Sequence, residues 1–200
     1  MNSATTPPRR PDPRKRKRNR GLLIAIFALF FGSMLVAGAL RFSDWRPAAT
    51  RNIGEMLDPP GDLRGVVPRR TDGSAYAWNP TARHWRIALA PPASCTTECE
   101  KLARDIDTVW QLAGRDADRV EVLWICPAAT CALPADAPRP ATLQLLQGDA
   151  QLRAALPRVD DPRGVPVYLI DPNGFVVLRY PPGFDPGGLR SDLTKLLKLK

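Results

Sequence analysis

Histidine is almost missing from this sequence, since His84 is the only one among 200 residues. Three common catalytic signatures are also absent: the G-x-S-x-G of serine hydrolases, the phosphate-binding Walker loop and the H-E-x-x-H of zinc proteases. Enzyme classes that depend on such motifs therefore have little support in this sequence. The chemistry of the chain is therefore expected to depend on its four cysteines.

The net charge of +9 does not predict a nucleic-acid partner. Residues 1–20 carry eight basic side chains against Asp12, which leaves only a small positive charge on the other 180 residues. This tail has no interleaved aromatic residues on which bases could stack. Its Pro/Arg/Lys-rich composition predicts a disordered cytoplasmic tail over residues 1–20.

Charged side chains are absent from residues 21–40. Twenty apolar residues in a helix span about 30 Å, which is the thickness of a bilayer core. The excess of basic residues before this segment predicts a cytoplasmic N-terminus and a C-terminal domain in the periplasm, anchored in the inner membrane by a single span. A cleaved signal peptide ending near Ala37-Gly38-Ala39 is the alternative, but the apolar run is long for one.

The remaining residues alternate between predicted strands and helices. Residues 41–72 are expected to be a tether that wraps onto a domain formed by residues 73–200. A strand–helix–strand start predicts parallel strands with a right-handed crossover, and the later hairpin adds antiparallel strands. This order predicts an α/β domain of thioredoxin-like layout, a central mixed sheet with flanking helices. The predicted strands are 74–78, 85–90, 120–125, 142–146, 167–170 and 175–180, and the predicted helices are 95–112, 149–156 and 189–199.

Cys95 and Cys99 follow a predicted strand and open a predicted helix. The free N–H groups and the dipole at a helix N-terminus stabilise a thiolate, which is both the nucleophile of disulfide exchange and the form that binds metal. At positions i and i+4 the two sulfurs share one helix face, which suits two ligands of one metal ion. A disulfide fits less well unless the first turn unwinds. Cys95 is predicted to be the reactive thiol and Cys99 its partner, with a structural disulfide or two buried thiols as alternatives.

Three segments resemble the Sco/SenC copper chaperones of cytochrome c oxidase assembly: residues 93–99 with the C-x-x-x-C motif, residues 118–125, and Tyr168–Gly174 followed by Val176-Val177. The last segment also resembles TlpA-like thiol reductases. The resemblance covers residues 70–198. It implies a thioredoxin fold, with Cu(I) bound through Cys95 and Cys99, or reduction of cysteines in an oxidase subunit. Sco proteins supply a third copper ligand, a histidine, before the hairpin, whereas residues 157–165 contain none. His84 is separated from Cys95 by a strand of roughly 20 Å and is expected at the surface.

Two further features remain open to interpretation. The resemblance to thioredoxin-like reductases implies that Pro166 is a cis-proline facing the active cysteines, although proline is also ordinary at the start of a strand. Cys126 and Cys131 follow a parallel strand at the sheet edge that carries Cys95. A local disulfide is the favoured interpretation of this pair. A resolving pair that relays electrons and a four-thiolate metal site are the alternatives.

The leading hypothesis is a membrane-anchored Sco-like protein that assists cytochrome c oxidase biogenesis by dithiol chemistry or Cu(I) transfer at Cys95 and Cys99. A general periplasmic thiol–disulfide oxidoreductase is the first alternative and the only one that makes the chain an enzyme. A non-catalytic assembly partner with structural cysteines is the second. The expected partner is an oxidase subunit or another exported cysteine protein, and Cu(I) is the only cofactor considered.

Overall fold

The computed structural model describes residues 13–43, 52–131, 133 and 136–198. The chain divides into two units, residues 1–49 and residues 50–200, which are described separately. The predictions for residues 1–12 and for 44–51 of the tether lie outside the described residues.

The first unit contains one helix, α1 (Pro13–Phe42), within its described residues. Its segment Lys17–Phe42 is long and apolar enough to cross a membrane. None of the residues in its apolar 18-residue stretch is buried. A helix that is apolar all round and unburied is typical of a membrane span. The predicted disorder is wrong for residues 13–20, which are helical. Proline suits the first helical position, Arg and Lys are good helix formers, and extending an existing helix needs no new nucleus.

The second unit is built on a six-stranded mixed sheet, which confirms the thioredoxin-like α/β fold. The strands lie in the order β1-β6-β5-β2-β3-β4. Strands β2, β3 and β4 are parallel, while β5, β6 and β1 add antiparallel pairs on the other side. The predicted parallel pairing of β2 and β3 is confirmed, with Trp85 opposite Val120 and Leu89 opposite Trp124. The elements are β1 (Glu55–Asp62), β2 (Trp85–Leu89), α2 (Thr97–Gln111), β3 (Val120–Ile125), β4 (Leu143–Leu146), α3 (Ala150–Ala154), β5 (Val167–Ile170), β6 (Phe175–Tyr180) and α4 (Pro186–Leu196).

Hydrophobic side chains cover both faces of the sheet. On one face, Ile87 and Leu89 of β2 share a core with Ile106 of α2 and Leu189 of α4. On the other face, Ala88 packs in a second core with Tyr76, Leu123, Leu152 and Ile170. Every residue of β2 is buried, because successive side chains point to opposite faces and both faces are covered. The central strands are therefore a rigid platform for the loops that follow them.

Strand β1 was not predicted. It contains Pro59-Pro60-Gly61 and mostly exposed side chains, so its sequence lacks the alternation of apolar and polar residues that is typical of a strand. It lies inside the expected tether and pairs with β6 at the sheet edge. The predicted strand 74–78 is wrong, since Ala75 makes only an isolated bridge with Arg69. Its aromatic residues are held by other contacts: the Tyr76 N–H donates to Pro68 O at 2.7 Å, and Trp78 Nε1 donates to Val66 O at 2.8 Å.

Candidate functional site

Cys95 and Cys99 form a disulfide whose Cα atoms are 5.6 Å apart. Helix α2 begins at Thr97, two residues after the predicted start, and Thr96 is its N-cap residue with φ −121° and ψ −94°. Cys95 therefore lies outside the helix, where its backbone is free to bring its sulfur to that of Cys99. This is the unwound first turn that a disulfide at this spacing requires.

The two sulfurs differ in their access to solvent. Cys95 is half-buried, whereas Cys99 is 2% exposed and packs in the core under α2. A thiolate from another molecule can reach a disulfide only through its accessible sulfur. Cys95 is thus the more accessible sulfur of the pair, and its role as the reactive thiol, with Cys99 as its partner, remains a prediction.

Glu98 ties this helix start to the loop that precedes β5. Its Oε1 accepts a hydrogen bond from the Val165 N–H at 2.8 Å. Gly164 has φ +134°, and a Cβ added there would overlap the Glu98 carboxylate. Sequence reasoning missed this contact, although a glutamate in the first turn and a glycine just before Val165-Pro166 were visible signals. The loop that carries Pro166 is thus fixed against the first turn of α2.

Replacing Gly164 by alanine, with and without Glu98→Ala, tests this contact, and Gly183→Ala provides a second glycine of positive φ for comparison. Gly183 also has a positive φ (+78°), but a Cβ there meets nothing within 4 Å. We expect Gly164→Ala to lower the free energy of unfolding by about 1–3 kcal/mol more than Gly183→Ala does. Denaturant unfolding of the full chain in detergent measures the difference. The backbone strain at φ +134° contributes to this difference as well, so Glu98→Ala separates the two causes. Recovery of part of the loss in the Gly164→Ala/Glu98→Ala chain would support the contact, and no recovery would contradict it.

The implied cis peptide bond at Pro166 is wrong. The only cis bond within the described residues is Asp58–Pro59, so the Val165–Pro166 bond is trans. Trans is the lower-energy form of an X–Pro bond, and a proline at the first residue before a strand needs no special isomer. Pro166 is buried in the loop that Glu98 fixes, and any catalytic role for it remains a prediction.

Cys126 and Cys131 form a second disulfide, with their Cα atoms 5.4 Å apart. Again one sulfur is buried and the other is accessible, since Cys126 is 1% exposed and Cys131 is half-buried. Gly148 holds this loop, because its N–H donates to Ala128 O at 2.7 Å. A Cβ at Gly148 would lie 2.7 Å from Cys126 O, so glycine allows this close approach of backbone.

The two disulfides meet at one groove of about 490 Å³ beside the carboxyl ends of β2 and β3. Cys95, Cys99 and Cys131 line it, and Cys126 does not. Among the described residues its other walls are mostly proline, small and aromatic side chains. We call this the cysteine groove; its other lining residues are Pro91, Pro92, Ala93, Thr96, Glu100, Trp124, Pro127, Ala128, Thr130 and Leu133.

A family model, the transmembrane-like, thioredoxin-like, C-terminal domain, matches residues 85–200 and so covers both disulfides. The chain belongs to this family. Among curated proteins, none matches the sequence.

Solved structures of Sco family proteins share the fold of this chain. BsSco, described as a member of the Sco family of cytochrome c oxidase assembly proteins, is 16% identical with a TM-score of 0.52, covering 77% of this chain and 100% of its own. A SCO1/SenC family lipoprotein of Bacillus anthracis is 18% identical with a TM-score of 0.52, covering 71% and 99%. Yeast Sco1, solved with copper bound, is 15% identical with a TM-score of 0.51, covering 76% and 96%.

The donor set of this family member does not match a three-ligand copper site. His84 lies before β2, whereas Cys95 follows it, and His84 Nδ1 is 3.5 Å from Glu121 Oε1. Its side chain is 33% exposed, so the expected surface position holds only in part. Within the described ranges no three His, Cys, Asp or Glu side chains form a group that could hold a metal. Reduction of the first disulfide would offer Cu(I) two soft thiolates and no imidazole.

Proposed function

We propose that this chain is a membrane-anchored thiol–disulfide exchange protein that acts through Cys95 and Cys99 on cysteines of an exported partner. The observation that carries the proposal is the asymmetric disulfide at the start of α2, with accessible Cys95 and buried Cys99, facing the cysteine groove. A structural disulfide needs neither an accessible sulfur nor a groove beside it. Thiol exchange needs both.

The exchange follows from this asymmetry. A partner thiolate attacks Cys95 Sγ, the Cys95–Cys99 bond breaks, and Cys99 leaves as a thiolate. A second partner thiol then attacks the mixed disulfide at the partner's own sulfur, which releases Cys95 as a thiolate and leaves the partner oxidised. Run backwards, the same steps reduce a partner disulfide. The N–H groups at the start of α2 stabilise the thiolates that form.

The proposed partner is a cysteine-containing subunit of cytochrome c oxidase. Support comes from BsSco, which shares the fold and is described as belonging to the cytochrome c oxidase assembly proteins. Cu(I) transfer is the second candidate, because copper-bound yeast Sco1 also shares the fold and a reduced Cys95/Cys99 pair supplies two thiolates. In that case copper is cargo, held by these two cysteines alone.

Oxidase activity in cells that lack the chain tests these candidates together. We expect the wild-type chain to restore activity, Cys95→Ser/Cys99→Ser to fail, and added copper to leave the deficit unchanged. Rescue by added copper would favour copper transfer instead. Rescue by the serine variant, with its expression matched to wild type, would contradict thiol chemistry and favour a non-catalytic assembly partner.

We propose further that α1 anchors the chain in the inner membrane with its N-terminus in the cytoplasm and its thioredoxin-like unit in the periplasm. The basic residues before the span and the oxidised cysteines support this orientation. A phosphatase reporter fused to the C-terminus, which folds only where disulfides form, is expected to be active. A cytoplasm-only reporter that is active at the same position would contradict the orientation.

A further inference from the structure

The second disulfide repeats the arrangement of the first. Each pair combines one half-buried sulfur, Cys95 or Cys131, with one buried sulfur, Cys99 or Cys126. Both half-buried cysteines line the cysteine groove and pack against the same hydrophobic core. A disulfide that only pinned its loop would not need its accessible sulfur to line the same groove as the other pair.

The sheet brings the two pairs to this position. Strands β2 and β3 are parallel neighbours in register, so the chain leaves both at the same edge. Cys126 directly follows β3, and its N–H donates to Leu146 O of β4 at 2.8 Å. Together with the Gly148 contact, this bond fixes the buried end of the second disulfide, and Cys131 lies at the groove end of the loop.

We propose that Cys126–Cys131 is a second redox centre, which exchanges electrons with Cys95–Cys99 through a mixed disulfide between Cys95 and Cys131. This proposal rests on the proposed function, since the first pair must be able to cycle. It adds that two electrons taken from a partner dithiol do not stay at Cys95 and Cys99. They pass to the second pair, and the partner-facing disulfide is restored within the same molecule.

Each step balances without an added oxidant. The Cys95 thiolate attacks Cys131 Sγ, the Cys126–Cys131 bond breaks, and Cys126 leaves as a thiolate. The Cys99 thiolate then attacks Cys95 Sγ and releases Cys131 as a thiolate. The first pair has lost two electrons and the second pair has gained them, so the reaction is reversible disulfide exchange. Return of the second pair to its disulfide is the same reaction with an external protein or small-molecule disulfide.

Trapping tests this step in the full chain in detergent. The variant Cys99→Ser/Cys126→Ser keeps only Cys95 and Cys131, and the control Cys99→Ser/Cys131→Ser keeps only Cys95 and Cys126. With one equivalent of a small-molecule oxidant such as diamide, we expect an intramolecular Cys95–Cys131 disulfide to form at least tenfold faster than a Cys95–Cys126 disulfide. Its rate should not change on tenfold dilution. Peptide mapping identifies the linkage, and circular dichroism checks that both variants are folded.

The wild-type chain gives a second measurement that needs no substitution. The fully reduced chain, which has four thiols, is oxidised with two equivalents of diamide and quenched with acid at successive times. We expect the Cys95–Cys131 peptide to appear before the two native disulfides are complete. Equal rates of disulfide formation in the two folded variants would overturn the relay. If a variant does not fold, absence of the Cys95–Cys131 peptide in the wild-type chain would overturn it. The proposed function would survive this outcome if the reduced Cys126→Ser/Cys131→Ser chain still reacts with oxidised glutathione at Cys95, and loss of that reaction would remove both.

Discussion

Replacing Cys95 by serine is expected to slow the reaction of the reduced chain with oxidised glutathione by a factor on the order of 100. The background should carry Cys126→Ser and Cys131→Ser, so that only the first pair reacts. Serine keeps the size of the side chain but cannot attack a disulfide at neutral pH. The remaining thiol, Cys99, is only 2% exposed and is poorly placed to replace it.

The matched variant in the same background is Cys99→Ser, which keeps the accessible thiol. It should react at close to the unmodified rate and then stop as a mixed disulfide between Cys95 and glutathione, because no second thiol releases it. Mass spectrometry identifies this adduct. If Cys95→Ser retains the rate, or if Cys99→Ser loses it, the assignment of the attacking sulfur is wrong.

The second large effect is expected at Asp192, a fully buried carboxylate on α4. Its Oδ2 accepts hydrogen bonds from the N–H groups of Ile53 and Gly54, each at 2.8 Å, and from the Tyr180 hydroxyl at 2.9 Å. Its Oδ1 is 3.0 Å from Lys195 Nζ. One side chain therefore joins the segment before β1, the end of β6 and α4.

Asp192→Ala should lower the free energy of unfolding by about 3 kcal/mol, because it leaves buried donors without an acceptor. Asp192→Asn keeps the shape and one carbonyl oxygen, so its loss should be smaller. Denaturant unfolding of the full chain in detergent measures both. Two variants as stable as the wild-type chain would show that this network does not hold the N-terminal segment.

The same carboxylate predicts a loss of stability in acid. Burial raises the pKa of Asp192, but the bonds from Gly54, Lys195, Tyr180 and Ile53 outweigh it, so the pKa is lowered overall. Burial also raises the pKa of Tyr180, which remains a donor. Because the pKa of Asp192 is lower in the folded state, its contribution to stability is fully present above the unfolded pKa, near 4. This contribution is lost as the pH falls from that value through the folded pKa. The stability difference between wild type and Asp192→Asn should therefore shrink below about pH 4.

The central strands and α2 could be predicted because their patterns are local. The strands 120–125, 167–170 and 175–180 have the predicted bounds, since short runs of buried branched and aromatic residues end at clear turn signals. In α2, the residues Cys99, Leu102, Ile106 and Val109 recur three or four positions apart, which is the spacing of one helix face, and all four are buried.

The structural features that were predicted wrongly or not predicted depend mainly on contacts between residues distant in sequence. The polar strand β1 exists because β6 offers an edge to pair with. Glu98 and Val165 are 67 residues apart, and no local pattern connects them. The sequence predicts that α2 starts at Cys95, whereas in the structure Cys95 forms a disulfide and the helix begins at Thr97. The trans bond at Pro166 shows that a feature implied by resemblance need not be present in this chain.

Alkylation of the reduced full chain over a pH series tests the proposed thiol exchange through Cys95 most directly. The chain contains only four cysteines, and peptide mapping separates them. Iodoacetamide reacts with thiolates, so its rate at each residue reports both thiolate formation and access. We expect Cys95 to react faster than Cys99 near neutral pH, and to reach half of its maximal rate at a lower pH than a free cysteine does. Faster reaction at Cys99, or a pH profile at Cys95 like that of a free cysteine, would contradict thiol exchange through Cys95.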